Sequence, residues 1–132
     1  MIQEGDEFQR TFFASERVYQ LFIDAFEDRN PLHVDPVFAK GKAFEDKVLH
    51  GAILVGFLSN FVGECLPIKN VLVQSYRIDF VKPVYPNTEL FFWAKAAGVF
   101  ESVSAVEFKF RFKNGEGQTV ARGRIDVGIL NN

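Results

Sequence analysis

Hydrophobic residues follow a helical period in the first part of the chain. An apolar stripe begins after Ser15, whose hydroxyl favours a helix N-cap; it consists of Val18, Leu21, Phe22, Ala25 and Phe26. Pro31 disfavours helical geometry at Asn30, so the pattern predicts that this helix ends near Asp28. Asp35-Pro36 then predicts the start of a second, short helical turn.

The most apolar segment lies near the middle of the chain. Residues 52–58 read AILVGFL and are apolar on every face of a helix. His50-Gly51 precedes them and Pro67 follows, which predicts a helix from Ala52 to about Leu66. A helix that is apolar all round must be buried all round, so other elements must wrap it.

Strand patterns dominate the remainder. They occur at 7–13, 71–80, 88–99, 107–113 and about 121–129. In one of them Phe108, Phe110 and Phe112 alternate with Lys109, Arg111 and Lys113, which indicates one buried and one solvent-facing side. The strand at 71–80 is also expected to be buried on one side. These elements predict a single α+β domain over residues 1–132, with an antiparallel β-sheet wrapped around a central apolar helix.

Composition excludes several function classes. The net charge of −2 over 132 residues provides no electrostatic signature for nucleic-acid binding. The longest apolar run is too short to span a bilayer, so no membrane association is expected. The first ten residues lack the apolar region of a signal peptide, and we therefore expect a soluble, cytoplasmic protein.

Chemistry is concentrated in the segment DRNPLHVD at 28–35. On a continuous helix, five residues at ~100° each would place Asp28 and His33 roughly 140° apart. The Asn30-Pro31 break allows the chain to fold back and bring the two side chains together. A carboxylate and an imidazole that meet at one point are typical of general acid–base catalysis.

Metal binding is not predicted. The chain has two histidines, His33 and His50, which lie seventeen residues apart without a clear third ligand in the sequence. We expect the ring of His50 to hold the loop rather than to transfer protons. No cofactor is predicted.

Three sequence blocks resemble the MaoC-like family of (R)-specific enoyl-CoA hydratases and 3-hydroxyacyl dehydratases. They are D-x-N-P-x-H-x-D at 28–35, F-x-x-x-V-x-H-G at 44–51 and Y-x-x-x-F-x-x-P-V at 76–84. The resemblance implies a hot-dog fold. The chain departs from the family pattern at two places: Glu27 stands where glycine is frequent, and Asn87-Thr88 stands where Gly-Asp is frequent.

The resemblance also implies an activity and site residues. The activity is a hydro-lyase reaction of fatty acid metabolism, the reversible hydration of trans-2-enoyl thioesters to (R)-3-hydroxyacyl thioesters. Asp28 and His33 take the catalytic positions. The oxyanion-stabilising and substrate-binding positions are Gly51, Asn30, Ser59 and His50.

The implied partners are an acyl-CoA or acyl-carrier-protein thioester and a second copy of the chain. A sheet edge that pairs with that copy predicts a homodimer or a higher homo-oligomer. Carrier-protein dehydratases that place an acid on the central helix are a poor match, since residues 52–58 contain none. Two alternatives stay open: an acyl-CoA thioesterase, and a noncatalytic acyl-thioester-binding subunit.

Overall fold

A computed structural model describes residues 1–131 and contains one antiparallel sheet of five strands. The strands are β1 (Glu7–Ala14), β2 (Val71–Phe80), β3 (Thr88–Phe100), β4 (Ala105–Lys113) and β5 (Thr119–Ile129). Their order across the sheet is β1-β3-β4-β5-β2, so β1 and β2 form the edges. The helices are α1 (Glu16–Phe26), α2 (Pro31–Val34), α3 (Pro36–Gly41) and α4 (Gly51–Asn60).

Helix α4 and the inner face of the sheet form one hydrophobic core, as the sequence predicted. The chain continues from α4 as a π-helical turn, Phe61–Cys65. The ring of Phe61 packs edge-on against Phe108 of β4 at 5.3 Å. The alternating phenylalanines of β4 are all buried: Phe108, Phe110 and Phe112. The predicted α+β architecture is therefore confirmed. No helix within residues 1–131 is long and apolar enough to cross a bilayer.

The predicted apolar stripe of α1 is only partly correct: Val18 and Phe22 pack against the core, but the stripe is centred on the wrong side of the helix. The buried residues of this helix are Tyr19 and Ile23, whereas Leu21 and Phe26 are largely exposed. Residues 18–26 contain apolar side chains at so many positions that more than one helical stripe fits. Contacts with the core, rather than periodicity, decide which stripe is buried.

The sheet packs against α4 as expected, but the expectation that this helix is buried on all sides is wrong. Ala52, Gly56 and Ser59 are exposed along one side of α4. The neighbouring strand β2 is similarly open, since Tyr76 is 50% exposed and Phe80 is 55% exposed. The physical reason is that β2 is an edge strand with a neighbour on one side only.

Candidate active site

The segment between α1 and α2 turns sharply and is held by its own side chains. Helix α1 ends at Glu27, which adopts a left-handed conformation with φ of 58°. The Asn30 side-chain oxygen accepts a hydrogen bond from the Leu32 amide at 3.0 Å and caps α2. A carboxylate oxygen of Asp28 accepts from the Asn30 amide at 3.2 Å. The predicted helix break is thus present, and Pro31 opens a second helix immediately after it.

His33 is half-buried in α2, and its ring orientation is fixed from one side. Its Nδ1 lies 2.7 Å from the backbone oxygen of Val48. A carbonyl oxygen only accepts hydrogen bonds, so Nδ1 carries the proton in this contact. The neutral ring therefore has an unprotonated Nε2. In return, the Val48 amide donates to the Leu32 backbone oxygen at 2.9 Å, which binds the two segments together.

His50 is buried against both parts of the predicted catalytic pair. Its ring stacks on that of His33 with centroids 4.0 Å apart and 26° between the planes. Its Nε2 donates to the backbone oxygen of Asp28 at 2.9 Å. The residue is only 2% exposed, and no hydrogen-bond partner for its Nδ1 lies within the described part of the chain.

The surroundings of His50 favour the neutral imidazole. Burial lowers the pKa of His50, and the nearby His33 acts in the same direction. The hydrogen bond to the Asp28 backbone and the Asp28 charge oppose this shift, but burial dominates. His50 therefore acts as a neutral donor through Nε2, and the sequence-based view that its ring holds the loop agrees with this geometry.

Asp28, His33 and His50 converge in space. One potential metal-ligating atom from each lies within 4.8 Å of the other two. The sequence shows no clear third ligand beside the histidines, and the structure corrects this, because Asp28 supplies one. The stacked rings nevertheless fit a metal poorly. Their lone pairs lie in nearly parallel planes, whereas two zinc ligands must converge on one point about 2 Å from each nitrogen.

A mostly apolar cavity opens beside His33 and the start of α4. Its volume is about 330 Å³, within the range of small-molecule sites. It is lined by His33, Val48, Leu49, Gly51, Ala52, Leu54, Phe80, Lys82, Pro83 and Val84. The end of the third sequence block therefore forms a wall of the cavity, through Phe80, Lys82, Pro83 and Val84.

Gly51 lies at the mouth of this cavity, where α4 begins. The His50 side chain occupies the N-cap position without capping the helix. The first amide groups of α4 therefore have no side-chain acceptor there, and they form a favourable position for developing negative charge. A Cβ atom on Gly51 would lie 2.8 Å from Cζ of Phe80, so the close approach of that ring requires glycine.

The structure brings most of the predicted site residues together. Asp28, Asn30, His33, His50 and Gly51 all lie around the loop between α1 and α2 and the start of α4. Ser59 is different: it is exposed on α4, two turns further along, and is not among the residues that line the cavity.

Sequence reasoning missed two contributors. Val48 orients the His33 ring through its backbone oxygen, a role that side-chain identity does not reveal. Tyr19 donates its hydroxyl to the backbone oxygen of His33 at 2.5 Å. A tyrosine within the apolar α1 pattern was the available signal, because a buried tyrosine usually finds a hydrogen-bond partner.

Comparisons with known proteins identify the family of the chain. A family model described as MaoC like domain matches residues 3–114. An (R)-specific enoyl-CoA hydratase of Aeromonas caviae is 39% identical over 69 residues, which is 52% of each chain. A mitochondrial 3-hydroxyacyl-[acyl-carrier-protein] dehydratase of Arabidopsis thaliana is 25% identical over 113 residues, 86% of this chain and 67% of that protein. The alignment with the Aeromonas relative thus spans about half of its length.

A solved structure extends the likeness to the whole fold. The (R)-hydratase from A. caviae involved in PHA biosynthesis superposes with a TM-score of 0.89 at 25% identity. The superposition covers 98% of each chain. The fold match therefore reaches well beyond the segment in which the sequences align most closely, and it confirms the expected hot-dog fold.

Proposed function

Because this chain belongs to the MaoC-like domain family, we propose that it is a hydro-lyase acting on 2-enoyl thioesters. The reaction is the reversible hydration of a trans-2-enoyl thioester to an (R)-3-hydroxyacyl thioester, carried on coenzyme A or acyl carrier protein. The observation that carries the proposal is that His33 lines an apolar cavity together with the start of α4, while a carboxylate oxygen of Asp28 lies within 4.8 Å of a ring nitrogen of His33. The names of the hydratase and dehydratase relatives support the same reaction class.

In the proposed mechanism, Asp28 and His33 hold the reacting water between them. The oxygen of the water forms a bond to C3 while the C2=C3 double bond opens. The pair accepts one proton from the water and delivers one proton to C2, so no net proton is exchanged with solvent. The free Nε2 of His33 is an acceptor suited to this exchange. General acid–base catalysis of this kind contributes about 10²–10⁴ in rate.

Stabilisation of the enolate-like thioester oxygen falls to the start of α4. As the double bond opens, negative charge moves onto the thioester oxygen, next to Gly51. The uncapped amides and the positive end of the helix dipole favour that charge. Loss of one such donor typically costs about 10²–10³ in rate.

The remaining site residues support the pair. Asn30 holds the turn through its cap of α2 and its contact with Asp28. His50 holds Asp28 through the backbone and His33 through stacking. Ser59 contacts substrate only if the acyl chain extends beyond the cavity along the open side of α4, where Ala52 and Gly56 are also exposed.

The proposal includes a homodimer located in the cytoplasm. The edge strand β2 has one strand neighbour, and its apolar side chains Leu72, Tyr76 and Phe80 are each about half exposed. A second copy that pairs with this edge would cover them and remove an aggregation-prone strand. A single cysteine, with no disulfide possible within the chain, is consistent with a reducing compartment.

A hydration assay on crotonyl-CoA tests this function and separates it from the alternatives. Loss of the near-ultraviolet absorbance of the enoyl thioester is followed together with thiol release, for the wild type, Asp28→Asn and His33→Ala. We expect absorbance loss without thiol release, reduced at least about 10²-fold by either substitution.

Asp35→Asn is the matched control, since it removes the same charge. Asp35 caps α3 through its side-chain oxygen, and asparagine is an equally good N-cap. This variant should keep full activity. Thiol release would instead identify a thioesterase. Binding without turnover, on short and long thioesters of either carrier, would identify a noncatalytic subunit.

A further inference from the structure

A buried tyrosine on α1 forms a second contact with His33. Val48 binds the ring of His33, whereas this tyrosine binds its backbone. Tyr19 lies on α1, is 4% exposed, and donates its hydroxyl to the backbone oxygen of His33 at 2.5 Å. It is not among the residues that line the cavity beside His33. Its hydroxyl therefore contacts the proposed site through the His33 backbone, while its ring packs against the ring of His50 at 5.7 Å.

The ring of Tyr19 is itself held in place. The Lys47 ammonium lies 4.5 Å from its centroid, a cation–π contact, and also 3.6 Å from a carboxylate oxygen of Glu16. Burial raises the pKa of the Tyr19 hydroxyl, and the charges of Glu16 and Asp46 raise it further. The hydroxyl therefore stays protonated at physiological pH and remains a donor.

His33 needs external support because α2 is only one turn long. A four-residue helix has almost no stability of its own, so its orientation depends on its contacts. Three hydrogen bonds fix the residue: its amide donates to Asn30, its ring donates to Val48, and its carbonyl accepts from Tyr19. Of these three bonds, the Tyr19 bond is the one that joins the residue to helix α1.

We propose that Tyr19 is a positioning residue that sets the orientation of His33 for catalysis. The inference rests on the proposed function, in which His33 belongs to the acid–base pair. Without the hydroxyl, the carbonyl of His33 loses its partner, and α2 loses the hydrogen bond that fixes its position relative to α1. The free Nε2 then departs from the geometry that it shares with Asp28, and a displacement of about 1 Å is enough to cost up to 10²-fold in rate.

Tyr19→Phe is the test, since it deletes one oxygen and keeps the packed ring. We expect kcat for crotonyl-CoA hydration to fall about tenfold while KM stays within about twofold, because the substrate contacts are unchanged. Tyr85→Phe is the matched control: it removes a hydroxyl that accepts from the Glu45 amide at 3.1 Å, away from His33. This control should change kcat by less than about twofold.

A kinetic cycle separates positioning from a purely structural role. If Tyr19 acts through His33, adding Tyr19→Phe to His33→Ala should cause less than about a twofold further loss of kcat. Circular dichroism and urea unfolding establish that each variant is folded under assay conditions. Wild-type kcat in folded Tyr19→Phe would overturn the inference, as would a loss that persists in the His33→Ala background or an equal loss in Tyr85→Phe.

The two proposals fail in different ways. An inactive His33→Ala beside a fully active Tyr19→Phe overturns the role of Tyr19 alone. An active His33→Ala overturns the acid–base pair, and the positioning role with it.

Discussion

The imidazole of His50 stacks on that of His33 at 4.0 Å and donates its Nε2 proton to the backbone oxygen of Asp28 at 2.9 Å. One buried ring therefore contacts both members of the proposed acid–base pair. Because His50 reaches Asp28 through the main chain, the carboxylate stays exposed, and its second oxygen is available to a water while the first accepts from the Asn30 amide.

His50 should make the protein less stable in mild acid. Its pKa is lowered in the folded state, so below about pH 6.5 the unfolded chain takes up a proton that the folded chain does not. The free energy of unfolding should therefore decrease as the pH is lowered from about 6.5 to the pKa of His50 in the folded protein. The decrease is at most about 1.4 kcal/mol per pH unit. Urea unfolding at pH 7.5, 6.5 and 5.5 measures this slope.

His50→Gln is the comparison for that slope. Its amide can still donate to the Asp28 backbone oxygen, but it does not titrate. We expect a flatter dependence of stability on pH than in the wild type over the same interval. Equal slopes in the two proteins would show that His50 does not carry the acid sensitivity.

Gly51→Ala should impair activity more than stability. The added methyl would lie 2.8 Å from Cζ of Phe80, a ring that is more than half exposed and free to move away. The loss of unfolding free energy should therefore stay below about 1 kcal/mol. The displaced Phe80 ring and the new methyl group at the start of α4 should lower kcat at least about tenfold.

Gly56→Ala, on the same helix, is its control. A Cβ at Gly56 meets nothing within 4 Å, and alanine is favoured over glycine in a helix by about 0.5–1 kcal/mol. This variant should be slightly more stable and fully active as judged by thermal unfolding and the hydration assay. An equal loss of activity in both variants would contradict a specific role for the start of α4.

Glu27→Gly should stabilise the protein. Glu27 has a φ of 58°, a left-handed conformation that costs a residue with a Cβ about 1–2 kcal/mol, partly offset by the chain entropy of glycine. We expect a gain of about 0.5–1 kcal/mol in urea unfolding. A loss would show that the Glu27 side chain makes a stabilising contribution that exceeds the backbone strain.

Asn87→Gly is a contrasting case, in which glycine at a position of positive φ should not stabilise the protein. Asn87 also has positive φ, at 66°, but its side-chain oxygen accepts from the Glu16 amide at the start of α1. Glycine would relieve strain and delete that bond, so we expect no net gain in unfolding free energy. A gain similar to that of Glu27→Gly would show that the bond contributes little.

A charged side chain on the edge strand β2 should dissociate the proposed dimer into monomers. Tyr76→Glu puts a carboxylate on the half-exposed edge strand, where burial against a second copy would be strongly unfavourable. Phe91→Glu, on the outer side of the interior strand β3, is the matched control. Sedimentation equilibrium should show a dimer for the wild type and Phe91→Glu, and a monomer for Tyr76→Glu. A monomeric wild type would contradict the proposed assembly.

Sequence periodicity was sufficient for most of the fold. The alternating phenylalanines of β4 and the apolar run of α4 predicted a sheet and a core helix, because local burial patterns reflect which face of each element lies inside. The same reasoning misplaced the centre of the buried face of α1, since the apolar side chains of this helix fit more than one face. Only contacts between elements could show that Tyr19 and Ile23 are the buried ones.

In the candidate site, too, some features could be predicted from the sequence and others depend on the tertiary structure. The spacing of Asp28, Pro31 and His33 determined that the chain would break and that the two side chains could meet, because proline limits the backbone of its own segment. The stacking of His50 on His33, the Tyr19 hydrogen bond and the cavity wall from Phe80 to Val84 were decided by the tertiary structure. These contacts join segments that are distant in sequence, and their geometry depends on how helices and sheet pack together rather than on any local preference.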